Sequence, residues 1–246
     1  MSPVTHAGLK GRVIAVTGAT RGIGRALVET FATRGALVVA HGRKSDDLER
    51  VMTDVRRGGG EVVPVIGDLR EPGLGARIVE GAISAYGHLD VLVLNAGMLG
   101  PMTPLAETPA DAIDEVLTVS VGAQVHLYAA AARAMRERRS GVVIWMSSGL
   151  GRFGLERFGI YCAAKHAVEG LMKVAALEDA EYDLVHVAVA PGMVQTDMLR
   201  VAMLGADVSA FETPQRTAEA FARMLCECDD TMNGKSIDIG PWMATD

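Results

Sequence analysis

Short apolar, β-branched runs alternate along this chain with longer stretches whose apolar residues recur every three or four positions. Arg12–Thr17 (RVIAVT), Leu37–Ala40, Val62–Ile66, Leu89–Leu94 (LDVLVL), Val142–Trp145, Leu184–Val189 and Ser236–Ile239 read as strands. The first is followed by Ile23, Ala26, Leu27 and Phe31, the second by Leu48, Val51, Met52 and Val55, and the third by Leu74, Ile78 and Ala82. Each of these sets lies on one helix face. Strands buried on both faces show continuous apolar runs, as these do, and not an alternation. Strand–helix alternation of this kind predicts an α/β architecture: a doubly wound parallel sheet of about seven strands, helices on both faces and right-handed crossovers.

Two later segments differ. Ala123–Met135 and Ala163–Leu177 are apolar or small around most of their circumference. Such helices are covered on more than one side. One side is expected to face the sheet, and the other a second subunit or loops of the same chain. No repeat, low-complexity stretch or linker divides the sequence, so residues 1–246 are expected to form a single domain.

Composition narrows the partners. The net charge is −6, and no cluster of Lys and Arg is interleaved with aromatics. That argues against nucleic acid or an anionic membrane as a partner. No apolar run approaches the ~18 residues of a membrane span, and Met1–Arg12 lacks the apolar centre of a signal peptide. Cys162, Cys226 and Cys228 are few and odd in number, which argues against a disulfide framework and fits a reducing, cytoplasmic location. Cys226 and Cys228 have no second ligand pair, and the histidines form no HExxH, so no metal is expected.

The first strand runs into Thr17-Gly18-Ala19-Thr20-Arg21-Gly22-Ile23-Gly24, and a helix follows. A helix N-terminus offers free N–H groups and a positive dipole end to a pyrophosphate. Glycines let the backbone turn sharply and approach the phosphates closely. The context of strand, turn and helix marks a dinucleotide site. NAD-selective sites place a carboxylate at the end of the second strand. Here that strand ends His41-Gly42-Arg43, and Arg43 with Arg21 favours a 2′-phosphate, hence NADP(H). Asp46 and Asp47 follow close behind and weigh the other way.

Tyr161 and Lys165 stand four apart at the start of a helix and so share one face. A free phenol has a pKa of ~10. A fixed ammonium beside it is expected to lower that value toward the range useful for proton transfer. Ser148, at the end of the fifth strand, is placed to donate a hydrogen bond to a substrate oxygen.

Taken together, TGATRGIG, Gly67-Asp68-Leu69, Asn95-Ala96-Gly97, Ser147-Ser148, Tyr161-Cys162-Ala163-Ala164-Lys165 and Pro191-Gly192-Met193-Val194-Gln195-Thr196 resemble the short-chain dehydrogenase/reductase superfamily, over Leu9 to Gly240. The resemblance implies a Rossmann fold and an NADP(H)-dependent oxidoreductase that moves a hydride between nicotinamide and a carbonyl or alcohol carbon. It implies that Gly18, Thr20, Arg21, Gly22, Ile23, Gly24 and Arg43 hold the dinucleotide. Asp68, with Leu69 beside it, would meet the adenine, and Asn95, Ala96 and Gly97 the adenosine side. Pro191, Gly192, Val194 and Thr196 would meet the nicotinamide. Ser148, Tyr161 and Lys165 would form the catalytic set, with Lys165 also on the nicotinamide ribose. A homodimer or homotetramer built through the two long helices is implied as well.

One position departs from the family pattern. Ser120, in Thr118-Val119-Ser120-Val121-Gly122, stands where the family has an asparagine on a proton relay to the lysine. It keeps a hydroxyl and a carbonyl with a shorter reach. A dinucleotide-binding regulator without turnover is therefore the alternative to the enzyme. Epimerisation or dehydration on the same cofactor is a third reading, but such relatives are longer with different glycine spacing. Met193, Met198, Leu199, Val201, Met203, Leu204 and Phe211, with Met98, Met102 and Phe153, are expected either to cover an apolar ketone or to pack a lid.

Overall fold

The computed structural model describes residues 8–243; the leader reading of Met1–Arg12 therefore lies in part outside the described residues. Seven strands form one parallel sheet: β1 Val13–Val16, β2 Leu37–Gly42, β3 Glu61–Ile66, β4 Val91–Leu94, β5 Gly141–Met146, β6 Leu184–Ala190 and β7 Lys235–Asp238. Their order is β3-β2-β1-β4-β5-β6-β7. The main helices are α1 Gly22–Thr33, α2 Ser45–Arg57, α3 Leu74–Tyr86, α4 Ala110–Leu117, α5 Ala123–Arg138, α6 Gly159–Glu178, α7 Asp197–Ala202 and α8 Pro214–Glu227.

The period of two along each strand divides the core. Ile14 and Val16 of β1, with Val38, Val91, Val93, Ile144 and Val187, face α1, α2 and α8. Val13 and Ala15, with Val39, Leu92, Val143, Trp145 and Ala188, face α3, α5 and α6. Every residue of β1, β4 and β5 is buried, as the unbroken apolar runs require.

All seven strands lie within a few residues of the apolar runs that predict them, while α4 and α8 are not among the predicted helices. The inward face of α8 mixes Phe221, Met224 and Leu225 with Ala218, Ala220 and Ala222, and alanine is a faint marker of burial. α4 is only eight residues long. Between α4 and α5 the chain makes one π turn, Thr118–Gly122.

The order reverses at β1, whose neighbours are β2 on one side and β4 on the other. Connections leave β1 and β4 in opposite directions, which opens a crevice at their carboxyl ends, where open α/β sheets bind ligands. The N-terminal ends are closed: Asp90 Oδ2 accepts the Val13 N–H at 2.8 Å.

Candidate active site

The crevice is a cavity of about 560 Å³, a size suited to a nucleotide-sized ligand. Its floor is the turn after β1. Gly18 and Gly22 stand at φ +66° and +53°, in the left-handed region that favours glycine. A Cβ on Gly24 would overlap the Gly18 carbonyl oxygen and crowd Asn95, so that glycine sets how tightly α1 packs on the turn. α1 has neither an N-cap side chain nor an acidic residue in its first turn. Its first N–H groups therefore suit an anion.

Hydrogen bonds across the switch point brace the turn. Asn95 Nδ2 donates to the Thr17 carbonyl at 2.7 Å, and Thr17 Oγ1 accepts from the amides of Asn95 and Ala96, each at 3.0 Å. His41, buried at the end of β2, adds a brace that the sequence reading did not find. Its Nε2 meets the Gly67 carbonyl at 3.0 Å, so that nitrogen carries the proton. Its Nδ1 then accepts the Gly18 N–H at 3.5 Å, and its carbonyl accepts the Ala19 N–H at 2.8 Å. Burial lowers the His41 pKa, which favours this neutral tautomer. A histidine after apolar residues carries no sequence signal for such a role.

Most residues expected to bind the dinucleotide line the cavity: Gly18, Thr20, Arg21, Gly22, Ile23, Gly24, Arg43, Asp68, Leu69, Asn95, Ala96, Gly97, Tyr161, Lys165, Pro191 and Thr196. Gly192 and Val194 are not in the lining. Val194 is buried and its backbone pairs with Glu212 instead. Asp68, expected on the adenine, is engaged by Arg70 at 2.7 Å. The hydrogen bond from Arg70 pulls its carboxyl down to about 2.

Arg21 and Arg43 are exposed and line the cavity beside Lys44. The nearby carboxylates are paired elsewhere, Asp47 with Arg50 at 3.4 Å and Asp68 with Arg70. Among the described residues neither arginine has a carboxylate within 4 Å, although the Arg43 charge helps to hold the Asp68 carboxyl down. Gly42 leaves no room for the acid of an NAD-selective site, since a Cβ there would overlap Thr20 Cγ2 and crowd Leu48.

At the other end Tyr161 and Lys165 project from the first turns of α6 into the same space. Lys165 Nζ lies 5.7 Å from the centre of the Tyr161 ring and donates to the Met146 carbonyl at 2.6 Å. The expected fall in the Tyr161 pKa is not what the structure shows. Burial raises it, and the Ser148 hydroxyl, within hydrogen-bonding reach, opposes that rise. Burial also pushes Lys165 down to about 8. At Lys165 burial outweighs the attraction of Glu169, and at Tyr161 it outweighs the Ser148 hydrogen bond.

Ser148 caps the short turn Gly149–Gly151, its Oγ accepting the Leu150 N–H at 3.2 Å. The cavity lining includes Met146 and Ser147 but not Ser148. Ser120 is buried in the π turn, and its Oγ accepts the Met98 N–H at 3.0 Å. A Cβ on Gly97 would come within 3.6 Å of Ser120 Oγ and 3.7 Å of Lys165 Nζ, so these two groups flank the same glycine.

Of the expected apolar lining, Met98, Met198 and Val201 reach the cavity. Met193, Phe153 and Leu204 are exposed at 45%, 57% and 85%. α7 rises on an excursion pinned at its base, where Gln195 Nε2 donates to the carbonyls of Ser209 and Phe211.

Comparison with known proteins agrees with this geometry. The short chain dehydrogenase family profile matches residues 12–207. An NADPH-dependent pterin aldehyde reductase of Arabidopsis thaliana is 27% identical over 228 residues, 93% of each chain. A short chain dehydrogenase structure from Shigella flexneri in complex with NADP superposes with a TM-score of 0.88 at 30% identity, covering 96% of this chain and 99% of the other. Levodione reductase superposes at 0.87 with 25% identity, over 96% and 99%. With that profile spanning most of its length, the chain belongs to the short chain dehydrogenase family and has the seven-stranded Rossmann architecture of an oxidoreductase.

Proposed function

We propose that this oxidoreductase is an NADP(H)-dependent carbonyl reductase in which Tyr161 is the general acid. One observation carries the reading: Tyr161 and Lys165 line the same cavity as a glycine turn flanked by two arginines without carboxylate partners. The residues present fit the dinucleotide. The turn has uncapped amides for a pyrophosphate, and Arg21 and Arg43 suit a 2′-phosphate. When bound, the nicotinamide supplies the hydride.

The chain's own groups handle the proton and the charge. A phenol held above its ordinary pKa is protonated at neutral pH, the form that gives a proton to a carbonyl oxygen. Lys165 with a pKa of about 8 is charged at neutral pH and steadies the phenolate left behind. Ser148 donates to the substrate oxygen as charge grows there. Met98, Met198 and Val201 favour an apolar ketone. The name of the Arabidopsis relative and the NADP complex of the Shigella structure support the cofactor.

The regulator reading rests on Ser120 alone, and Ser120 keeps a hydroxyl on the Lys165 side of Gly97. A second copy of the chain on α5 and α6 remains our reading of the oligomer; Val174 and Leu177 of α6 stand 52% and 81% exposed. No described helix is long and apolar enough to cross a membrane.

Oxidation of NADPH and of NADH against a panel of apolar ketones tests the function. Turnover with NADPH is expected, and turnover with NADH alone would overturn the cofactor assignment. Gly42→Asp tests the packing argument. The new side chain would meet Thr20 and Leu48, so a loss of about 1–3 kcal/mol in stability is expected, without a gain in NADH affinity. Chemical denaturation and fluorescence titration read the two effects.

A further inference from the structure

Glu169 is a buried acid to which the proposed reaction assigns no task. It is 5% exposed and lies on α6 one turn beyond Lys165. Tyr161, Lys165 and Glu169 thus follow one another at four-residue steps along a single helix face. Its Oε1 accepts from Ser147 Oγ at 2.5 Å and from Ser236 Oγ of β7 at 2.8 Å. Arg152 Nε lies 3.7 Å from the same oxygen. Arg152 itself is tied to β7, donating to Ser236 Oγ, the Ile237 carbonyl and Asp238 Oδ2, each at 2.9 Å.

The other oxygen, Oε2, is buried and has no hydrogen-bond partner among the described residues. A carboxylate with a bare buried oxygen is costly. A glutamine would make the same contacts through its carbonyl without a buried charge. The charge has an evident use. Lys165 is 6% exposed, and Glu169 is the opposite charge that works against its desolvation. The pocket around the acid is also closely built. A Cβ on Gly151 would lie 2.9 Å from Ser147 Oγ, 3.0 Å from the Lys165 carbonyl oxygen and 3.2 Å from Glu169 Cγ.

We propose that Glu169 is a positioning residue, the counter-charge of Lys165 and the anchor that holds the Ser147–Ser148 strand end beside Tyr161. Two links carry its effect. Ser147 adjoins Met146, whose carbonyl receives the Lys165 ammonium, and Ser148, whose hydroxyl reaches Tyr161. The titratable groups facing Lys165 are Tyr161 and Glu169 on its own helix. Arg152 and Asp238 act from the loop after β5 and from β7, through Glu169. From the end of β4 and the π turn, Gly97 and Ser120 come near Lys165, and neither carries a charge.

This assignment rests on Tyr161, Lys165 and Ser148 being the reacting groups, so its test needs a readout that does not depend on turnover. Glu169→Gln removes the charge and keeps the acceptor for Ser147 and Ser236. In it, the Lys165 side-chain resonance, followed by NMR in lysine-labelled protein, is expected to titrate about one pH unit lower than in the parent. The alkaline limb of NADPH-dependent ketone reduction should move the same way, with KM for the ketone little changed. A Lys165 titration and a pH limb that both stay in place, even with lower stability, would overturn the proposal. Should Glu169→Gln fail to fold, Arg152→Gln carries the test with the opposite sign. Removing that cation leaves Glu169 less neutralised, and Lys165 should titrate higher; no movement overturns the pairing. If the parent chain reduces no ketone, the reductase reading fails, while the Lys165 resonance still decides whether the two charges are coupled.

Discussion

Tyr161→Phe is expected to cut kcat for ketone reduction by about 10²–10⁴-fold, the usual worth of a placed acid or base. The substitution removes one oxygen and keeps the ring, so the packing of α6 against the cavity should survive. NADPH affinity, read by fluorescence titration, should change little, because the groups proposed to meet the phosphates lie on the turn after β1 and not on α6. The loss should fall on kcat and leave KM for the ketone nearly unchanged, since the proton moves in the transition state. A variant that turns over at the parent rate would end the role of Tyr161. A variant that loses NADPH binding as well would mean that the phenol is a cofactor contact first.

The second large effect is on cofactor choice. Arg21→Ala with Arg43→Ala should weaken NADPH binding by about 10–100-fold and leave NADH binding almost as it was. A hydrogen bond to a charged group contributes about 1.5–3 kcal/mol. Both side chains are exposed, so solvent screening reduces the return from each. The preference should fall as salt rises, because screened surface charges carry it. Equal losses for NADPH and NADH would show that the arginines serve the turn and not the 2′-phosphate.

The sheet and the dinucleotide turn were legible because each rests on local rules. Continuous apolar runs such as Leu89–Leu94 mark strands buried on both faces, and the glycines at 18, 22 and 24 mark a backbone that must turn and pack closely. The strand order was less legible, since nothing local states that β1 lies between β2 and β4. The site divides in the same way. The placement of Tyr161 and Lys165 on one side of α6 is legible from their spacing. The contacts of His41, Ser147 and Glu169 are not, because their partners are distant in sequence: Glu169 meets Ser147 and Ser236 only after β5, α6 and β7 come together. The direction of the Tyr161 shift is not legible for a related reason. The sequence displays the spacing of Tyr161 and Lys165 but does not display burial, which is the largest influence on the phenol.

The account turns on a proton passing from Tyr161 to the substrate oxygen in the step that reduces the carbonyl. Rapid mixing of the NADPH-loaded chain with a ketone, in water and in heavy water, with ordinary and nicotinamide-deuterated NADPH, reads that step directly. Both isotopic changes are predicted to slow the same phase of NADPH oxidation, and the solvent effect should vanish from the residual rate of Tyr161→Phe. A full effect from deuterated nicotinamide with no effect of heavy water would contradict the account.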